Sequence, residues 1–176
     1  MDAPVNLPTL RTARLTLTPA TEADLDPLCA LVWQPKVRRY LCDDLVFPRE
    51  QLAGFLARSV ANWAHGLGHW TIARDGARLG FVELKYAPAE IAPELAGQVE
   101  PSIALAPEHW GKGYAAEALR AAITHAFTTL RLARLVAKVD EPNEDSHRLM
   151  TRVGFRRTGR APGPAWPLVL YRLERS

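Results

Sequence analysis

Gly111 and Gly113 flank Lys112, and Ala115, Leu119, Ala122, Ile123, Ala126, Phe127 and Leu130 follow at the three- and four-residue spacings of a helix face. The first turn of a helix leaves backbone N–H groups without partners. With the helix dipole they make an anion site. Glycines let that backbone approach a phosphate with no Cβ in the way. Gly111 to Ala115 therefore reads as a phosphate cradle with a lysine charge beside it, or as a plain tight turn. Neither Gly-x-Gly-x-x-Gly nor Gly-Lys-Ser/Thr is present.

Thirty residues after Gly113 the chain reads Asn143-Glu144-Asp145-Ser146-His147-Arg148-Leu149-Met150 and runs on to Gly154-Phe155. An Asn side chain offers both a donor and an acceptor to an amide. It is also a helix N-cap residue, so Asn143 reads either as a ligand contact or as a cap after Pro142.

The two segments, in this order and spacing, resemble the acyl-CoA site of the GNAT N-acetyltransferases. In that family a Gln/Arg-x-x-Gly-x-Gly/Ala loop holds a pyrophosphate, and an Asn-x-x-(Ala/Ser)…Gly-Phe helix follows. Trp110-Gly111-Lys112-Gly113-Tyr114-Ala115 matches the loop, with Trp110 in the Gln/Arg position. Trp-Gly-Lys-Gly-Tyr-Ala-x-Glu-Ala is similar to the branch of ribosomal-protein N-terminal alanine/serine acetyltransferases (RimJ/RimL-like). The resemblance runs from Leu10 to Glu174. It implies a mixed α/β fold, with a mostly antiparallel sheet of about six to seven strands and about four helices. It implies transfer of acetyl from acetyl-CoA to a primary amine, either a protein N-terminus or a small molecule. A non-catalytic CoA-binding module on the same fold is the alternative.

The resemblance also implies roles for single residues. Backbone N–H groups around Ile103, Ala104 and Leu105 would hold the thioester carbonyl on a strand that splays across a bulge, and so stabilise charge developing on its oxygen. Those of Gly111 to Ala115 would meet the pyrophosphate, the side chains of Trp110 and Tyr114 packing instead. Asn143 would contact the pantetheine amides. Glu100 matches a glutamate proposed as general base in this branch, and Glu83 on the neighbouring strand is second choice; each otherwise reads as a surface acid. A partly buried carboxylate has its pKa raised and makes a better base. Many relatives place a proton-donating Tyr where this chain has Met150, so Ser146 is the replacement donor to the thiolate, or else a solvent-facing serine.

The elements that must position these residues follow from pattern. Arg14 to Thr18 alternates apolar with polar and reads as a strand. Thr21, followed by Glu22 and Asp24, starts a helix that Pro35 ends. Lys36 to Pro48 is irregular, and a second helix spans roughly Arg49 to His65. In the resembled family these helices wall the acceptor groove; Tyr40, Phe47 and Trp63 read as core aromatics. His69 to Arg74 and Leu79 to Tyr86 form a hairpin around Asp75-Gly76. Residues 87–97 form a loop that either borders the acceptor opening or merely connects. Gln98 to Ala106 is the strand before the glycine loop. Arg131 to Val139, Phe155 to Arg160 and Trp166 to Glu174 complete the sheet.

Composition bounds the class. The 176 residues, 48% hydrophobic and 23% charged, suit a single domain with its own core, residues 1–9 being a flexible or extended lead-in. Cys29 and Cys42 make no disulfide framework, and no Cys/His spacing suggests a metal. No leader or membrane-length apolar run is visible, so the expectation is a cytoplasmic protein without a membrane partner. A net charge of +3 suits an anionic substrate but does not argue for nucleic acid. Arg148, Arg152, Arg156, Arg157 and Arg160 read as a solvated face or as attraction for an acidic acceptor or a phosphate. His109 and His147 are expected at the surface, and a homodimer is left open.

Overall fold

A computed structural model of the chain describes residues 6–176, so part of the expected lead-in, residues 1–5, lies outside the described residues. Eight strands run in chain order: β1 (Leu10–Arg11), β2 (Thr16–Pro19), β3 (Gly68–Arg74), β4 (Ala77–Tyr86), β5 (Val99–Leu105), β6 (Arg134–Asp140), β7 (Arg156–Ala161) and β8 (Leu168–Glu174). The first five pair in sequence order as one antiparallel sheet; the others form a second, ordered β6-β8-β7. The helices are α1 (Leu25–Val32), α2 (Pro35–Leu41), α3 (Arg49–Ala61), α4 (Tyr114–Thr124) and α5 (Glu144–Arg152). This is the expected mixed α/β class with more pieces.

The extra helix has a physical cause. Pro35 does not simply end α1; it occupies the first turn of α2. There its missing N–H costs nothing and its fixed φ suits the helix. The stretch expected to be irregular is thus helical as far as Leu41. The next helix is shorter than its apolar pattern, because Asn62 closes α3 and Trp63–His65 forms a separate 3₁₀ turn. The central helix ends at Thr124 and continues as a π-helical turn, His125–Thr129.

Strand alternation sorts β4 between two cores. Val82 and Leu84 pack with Leu119 and Ala122 of α4 and with Leu135, Ala137 and Val139 of β6. Phe81 faces the other way, onto Leu28, Leu31 and Val32 of α1, Val37 of α2 and Leu52 and Leu56 of α3. Each fully buried aliphatic side chain contributes about 1.5–3 kcal/mol, so both faces are firmly covered. No helix among the described residues is long and apolar enough to cross a membrane.

β5, α4 and β6 make a strand–helix–strand crossover, the connection that lays neighbouring strands parallel. β5 and β6 lie side by side, yet no ladder joins them. The register of β5 against β4 is unbroken from Tyr86↔Val99 to Gly80↔Leu105. The expected bulge is therefore absent from that pairing, and the opening in the sheet is the seam between β5 and β6.

Candidate functional site

The glycine loop lies at one end of that seam. Gly111 and Gly113 both have left-handed backbone, φ +71° and +80°, and a Cβ on Gly111 would meet nothing within 4 Å. Gly113 is the residue before the first turn of α4. The first backbone N–H there with an acceptor is that of Glu117, which donates to Gly113 O. Those of Gly111 to Ala116 donate to no described residue. They form a row of open donors at the positive end of a helix. The Lys112 ammonium is bent back onto Glu108 O at 2.8 Å, so its charge stays at the loop.

The first turn of α4 is clamped from the β1–β2 turn. Glu117 accepts from Thr12 Oγ1 at 2.6 Å, from Arg14 Nε at 2.6 Å and from the Arg14 backbone N–H at 2.9 Å. Burial works against the Glu117 carboxylate, but these hydrogen bonds outweigh it and hold its pKa below the usual value. The Arg14 guanidinium also lies 4.6 Å from the centre of the Tyr114 ring. Tyr114 is buried, and its hydroxyl accepts from the Arg74 guanidinium, as a packing residue should. Trp110 is 43% exposed, and its indole N–H donates to Leu105 O at 2.7 Å.

The seam side of β5 follows from its hydrogen-bond parity. The Ala106 N–H donates to Leu79 O, so even-numbered N–H groups point at β4. Odd-numbered ones, those of Ile103 and Leu105, point into the seam, where no ladder receives them. Pro101, which has no N–H, falls on the same side and so forfeits no ladder bond. Of the residues expected to present donors, Ile103 and Leu105 face the seam, and Ala104 faces β4.

Charged side chains line one face of this seam. Glu100 is 3% exposed, and both its oxygens lie 2.6 Å from Lys138 Nζ on β6. That ion pair ties the two sheets together. Glu83 stands opposite Ser102 in the β4–β5 register, with Lys85 Nζ 3.6 Å away. Asp140 ends β6, buried, and its pKa is pushed up to about 6 by burial first and by Asp43 second, with Lys138 opposing. Sequence reasoning stopped the strand at Val139 and missed Asp140. The available signal was an acid closing an apolar strand, on the period-two face of Lys138.

A cleft of about 170 Å³ opens on the same side of the sheet, between α1 and β3–β4; Leu28, Leu31, His69, Phe81 and Ala106 are among its walls. His69 stacks on Phe81 with ring centroids 4.3 Å apart, and burial drops its pKa to about 4. A second hollow of about 480 Å³ lies beside Tyr86, Val99 and Arg134, at the opposite end of β5 from the glycine loop. The first reaches Ala106, the residue that leads from β5 toward the glycine loop, and is the more relevant for that reason rather than for size.

α5 carries the second segment. Asn143 caps it, Oδ1 accepting from the Ser146 N–H at 3.3 Å. Its amide NH₂ makes no hydrogen bond among the described residues, so capping leaves the donor side open. Ser146 is half-buried one turn away. His147 corrects the expectation of a surface residue: it is 5% exposed, held by the Tyr171 hydroxyl at 2.6 Å and Glu141 O at 3.0 Å. His109 is half-buried. Met150 is part of the main core. The arginines from Arg148 to Arg160 are exposed; Arg148 pairs with Asp145 and Arg160 with Glu141.

Comparison with known proteins agrees with this geometry. The family model described as an acetyltransferase (GNAT) domain matches residues 14–156. YoaA, described as an uncharacterized N-acetyltransferase of Bacillus subtilis (strain 168), is 30% identical over 160 residues, covering 86% of this chain and 85% of that protein. The crystal structure of an acetyltransferase from Agrobacterium tumefaciens C58 superposes with a TM-score of 0.82 at 28% identity, covering 99% of both chains. RimL, a ribosomal L7/L12 α-N-protein acetyltransferase solved with coenzyme A, has the same fold: TM-score 0.78, 18% identity, 95% of this chain and 98% of that one.

Proposed function

The chain belongs to the GNAT acetyltransferase family and is an acyl-CoA-dependent N-acetyltransferase, and on that premise we propose that it moves acetyl from acetyl-CoA to a primary amine by direct attack in a ternary complex. The observation that carries the reading is a pair of open backbone-donor sets, one in the seam at Ile103 and Leu105 and one at the glycine loop. Ile103 and Leu105 offer theirs to the thioester and pantetheine, Gly111 to Ala116 theirs to the pyrophosphate. Asn143 adds its amide NH₂ to the pantetheine. Residues 1–176 act as one domain in this reading.

Much of the acceleration comes from holding the amine against the thioester. Ile103 N–H stabilises the oxyanion. Ser146 donates a proton toward the departing sulfur, since Met150 has none to give. The acceptor is an α-amine of a protein N-terminus or a small amine in the cleft beside α1. The fold likeness to RimL supports the first choice only as an analogy of architecture.

Calorimetric titration with acetyl-CoA, followed by thiol release in the presence of N-terminal peptides and small amines, tests the reading. Micromolar binding that Gly113→Val weakens, together with turnover that Ser146→Ala slows, supports it. Binding without turnover on any amine favours a CoA-binding module, and no binding removes the donor site altogether.

A further inference from the structure

Asp140 is 7% exposed, and its carboxylate accepts no hydrogen bond from any described residue. Its oxygens are not among the sealed, unsatisfied polar atoms of the described residues, so a mostly buried carboxylate keeps an open edge on which a proton can arrive and leave.

Its place along the seam says whose proton that is. Glu100 on β5 meets Lys138 on β6. Two residues further along each strand, on the same face by the strand period, stand Ser102 and Asp140. The crossover runs both strands in one direction, so this next pair faces across the seam too. Ile103, the residue after Ser102 on β5, aims its N–H into the gap. Glu100, the expected base, has both oxygens committed to Lys138.

We propose that Asp140 is the carboxylate that takes the proton from the attacking amine, an inference that rests on the acetyl-transfer reading above. The amine nitrogen bonds to the thioester carbonyl carbon, and the C–S bond breaks with its electron pair leaving on sulfur. The amine proton passes to Asp140 Oδ. The CoA thiolate takes a proton from Ser146 or water, and Asp140 returns its own to solvent. The charged groups around Asp140 are Asp43 from the segment after α2, Lys138 on its own strand and, through Lys138, Glu100 on β5. Leu168, its β8 partner, is uncharged. Burial first and Asp43 second raise the proton affinity of Asp140 toward neutral pH, where a general base works best.

The test uses the full chain, acetyl-CoA and hydrazine, an acceptor small enough for any amine site, with thiol release measured from pH 5 to 9 in about half-unit steps. Hydrazine's own titration is common to all variants and drops out of the comparison. Asp140→Asn binds acetyl-CoA as tightly as the wild type, loses on the order of 10²-fold in kcat/KM, and loses the acid limb of the profile. Asp43→Asn keeps the limb but moves it to lower pH, because a neighbouring negative charge is gone. An Asp140→Asn enzyme with wild-type rate and acid limb overturns the proposal and leaves acetyl transfer standing. So does a slow Asp140→Asn enzyme alongside an unmoved limb in Asp43→Asn, which assigns Asp140 a structural role. Wild-type protein that binds acetyl-CoA without releasing thiol faster than buffer overturns both readings, and failure to bind it removes the donor site itself.

Discussion

Both carboxylate oxygens of Glu100 lie 2.6 Å from Lys138 Nζ, and this ion pair bridges the β5–β6 seam that no backbone ladder crosses. The side chains are 4% and 17% exposed, so neither charge has much water to fall back on. Removing one partner strands the other. Lys138→Met is expected to cost about 3 kcal/mol in a denaturant titration, and the double variant with Glu100→Leu to recover most of it. Independent additive losses would show that the pair is not coupled.

Glu117 joins the glycine loop's helix to the β1–β2 turn, and its lowered pKa fixes the sign of its effect. A depressed carboxylate contributes stability above its unfolded pKa and loses it as pH falls through the folded one. Glu117→Gln should therefore lower the melting temperature near neutral pH by about 5 °C, for a loss of about 2 kcal/mol. The gap to wild type should begin to narrow as pH falls below the ordinary glutamate range and close only below the lowered folded pKa, where the wild-type carboxylate is protonated too. A constant gap across pH would contradict the charge-based account.

His69 and Asp140 should push stability in opposite directions over one pH window. With a folded pKa of about 4, His69 binds fewer protons folded than unfolded, so its contribution rises with pH up to about 6.5. With a folded pKa of about 6, Asp140 binds more protons folded, so its contribution falls with pH from about 4. Each is worth on the order of 3 kcal/mol, and in the wild type they largely cancel. Asp140→Asn should make unfolding free energy climb from pH 4 to 6, as measured in urea, and should leave the protein more stable than wild type at pH 7. A less stable Asp140→Asn protein at pH 7 would rule this out.

Gly111 and Gly113 share left-handed backbone but differ in surroundings. A Cβ at Gly111 meets open space, whereas one at Gly113 lies 3.3 Å from Arg14 Nη2. Gly111→Ala should cost about 1 kcal/mol from backbone strain alone. Gly113→Val should cost more, disturb the Arg14 contact to Lys112 O, and weaken acetyl-CoA at least tenfold in calorimetry (about 1.4 kcal/mol). Equal effects at the two positions would show that Arg14 does not matter.

The local parts of the site were legible because they depend on neighbours in sequence. The strand before Gly111, the helix face from Ala115 and the cap at Asn143 are all set by spacing and by backbone geometry within a few residues. Those parts also give the mixed α/β class and the family. Single-residue consequences that depend on context were read less well: Pro35 opens α2 rather than only closing α1, since its tolerance at a first helical turn was overlooked.

What the chain order could not reveal is which distant residues share the seam. Glu100 and Lys138 are far apart in sequence, and only the β5–α4–β6 crossover makes them partners. Asp43, just after α2, is set against Asp140 at the end of β6, and nearby the Tyr40 hydroxyl reaches Pro142 O. His147 looks solvent-facing in a polar helix until Tyr171 on β8 covers it. Spacing in sequence determined which backbone donors stand open at the glycine loop. Burial and charge pairing across the seam, set by long-range packing that no local pattern encodes, decided that Glu100 is committed to Lys138 and Asp140 is not committed to anything.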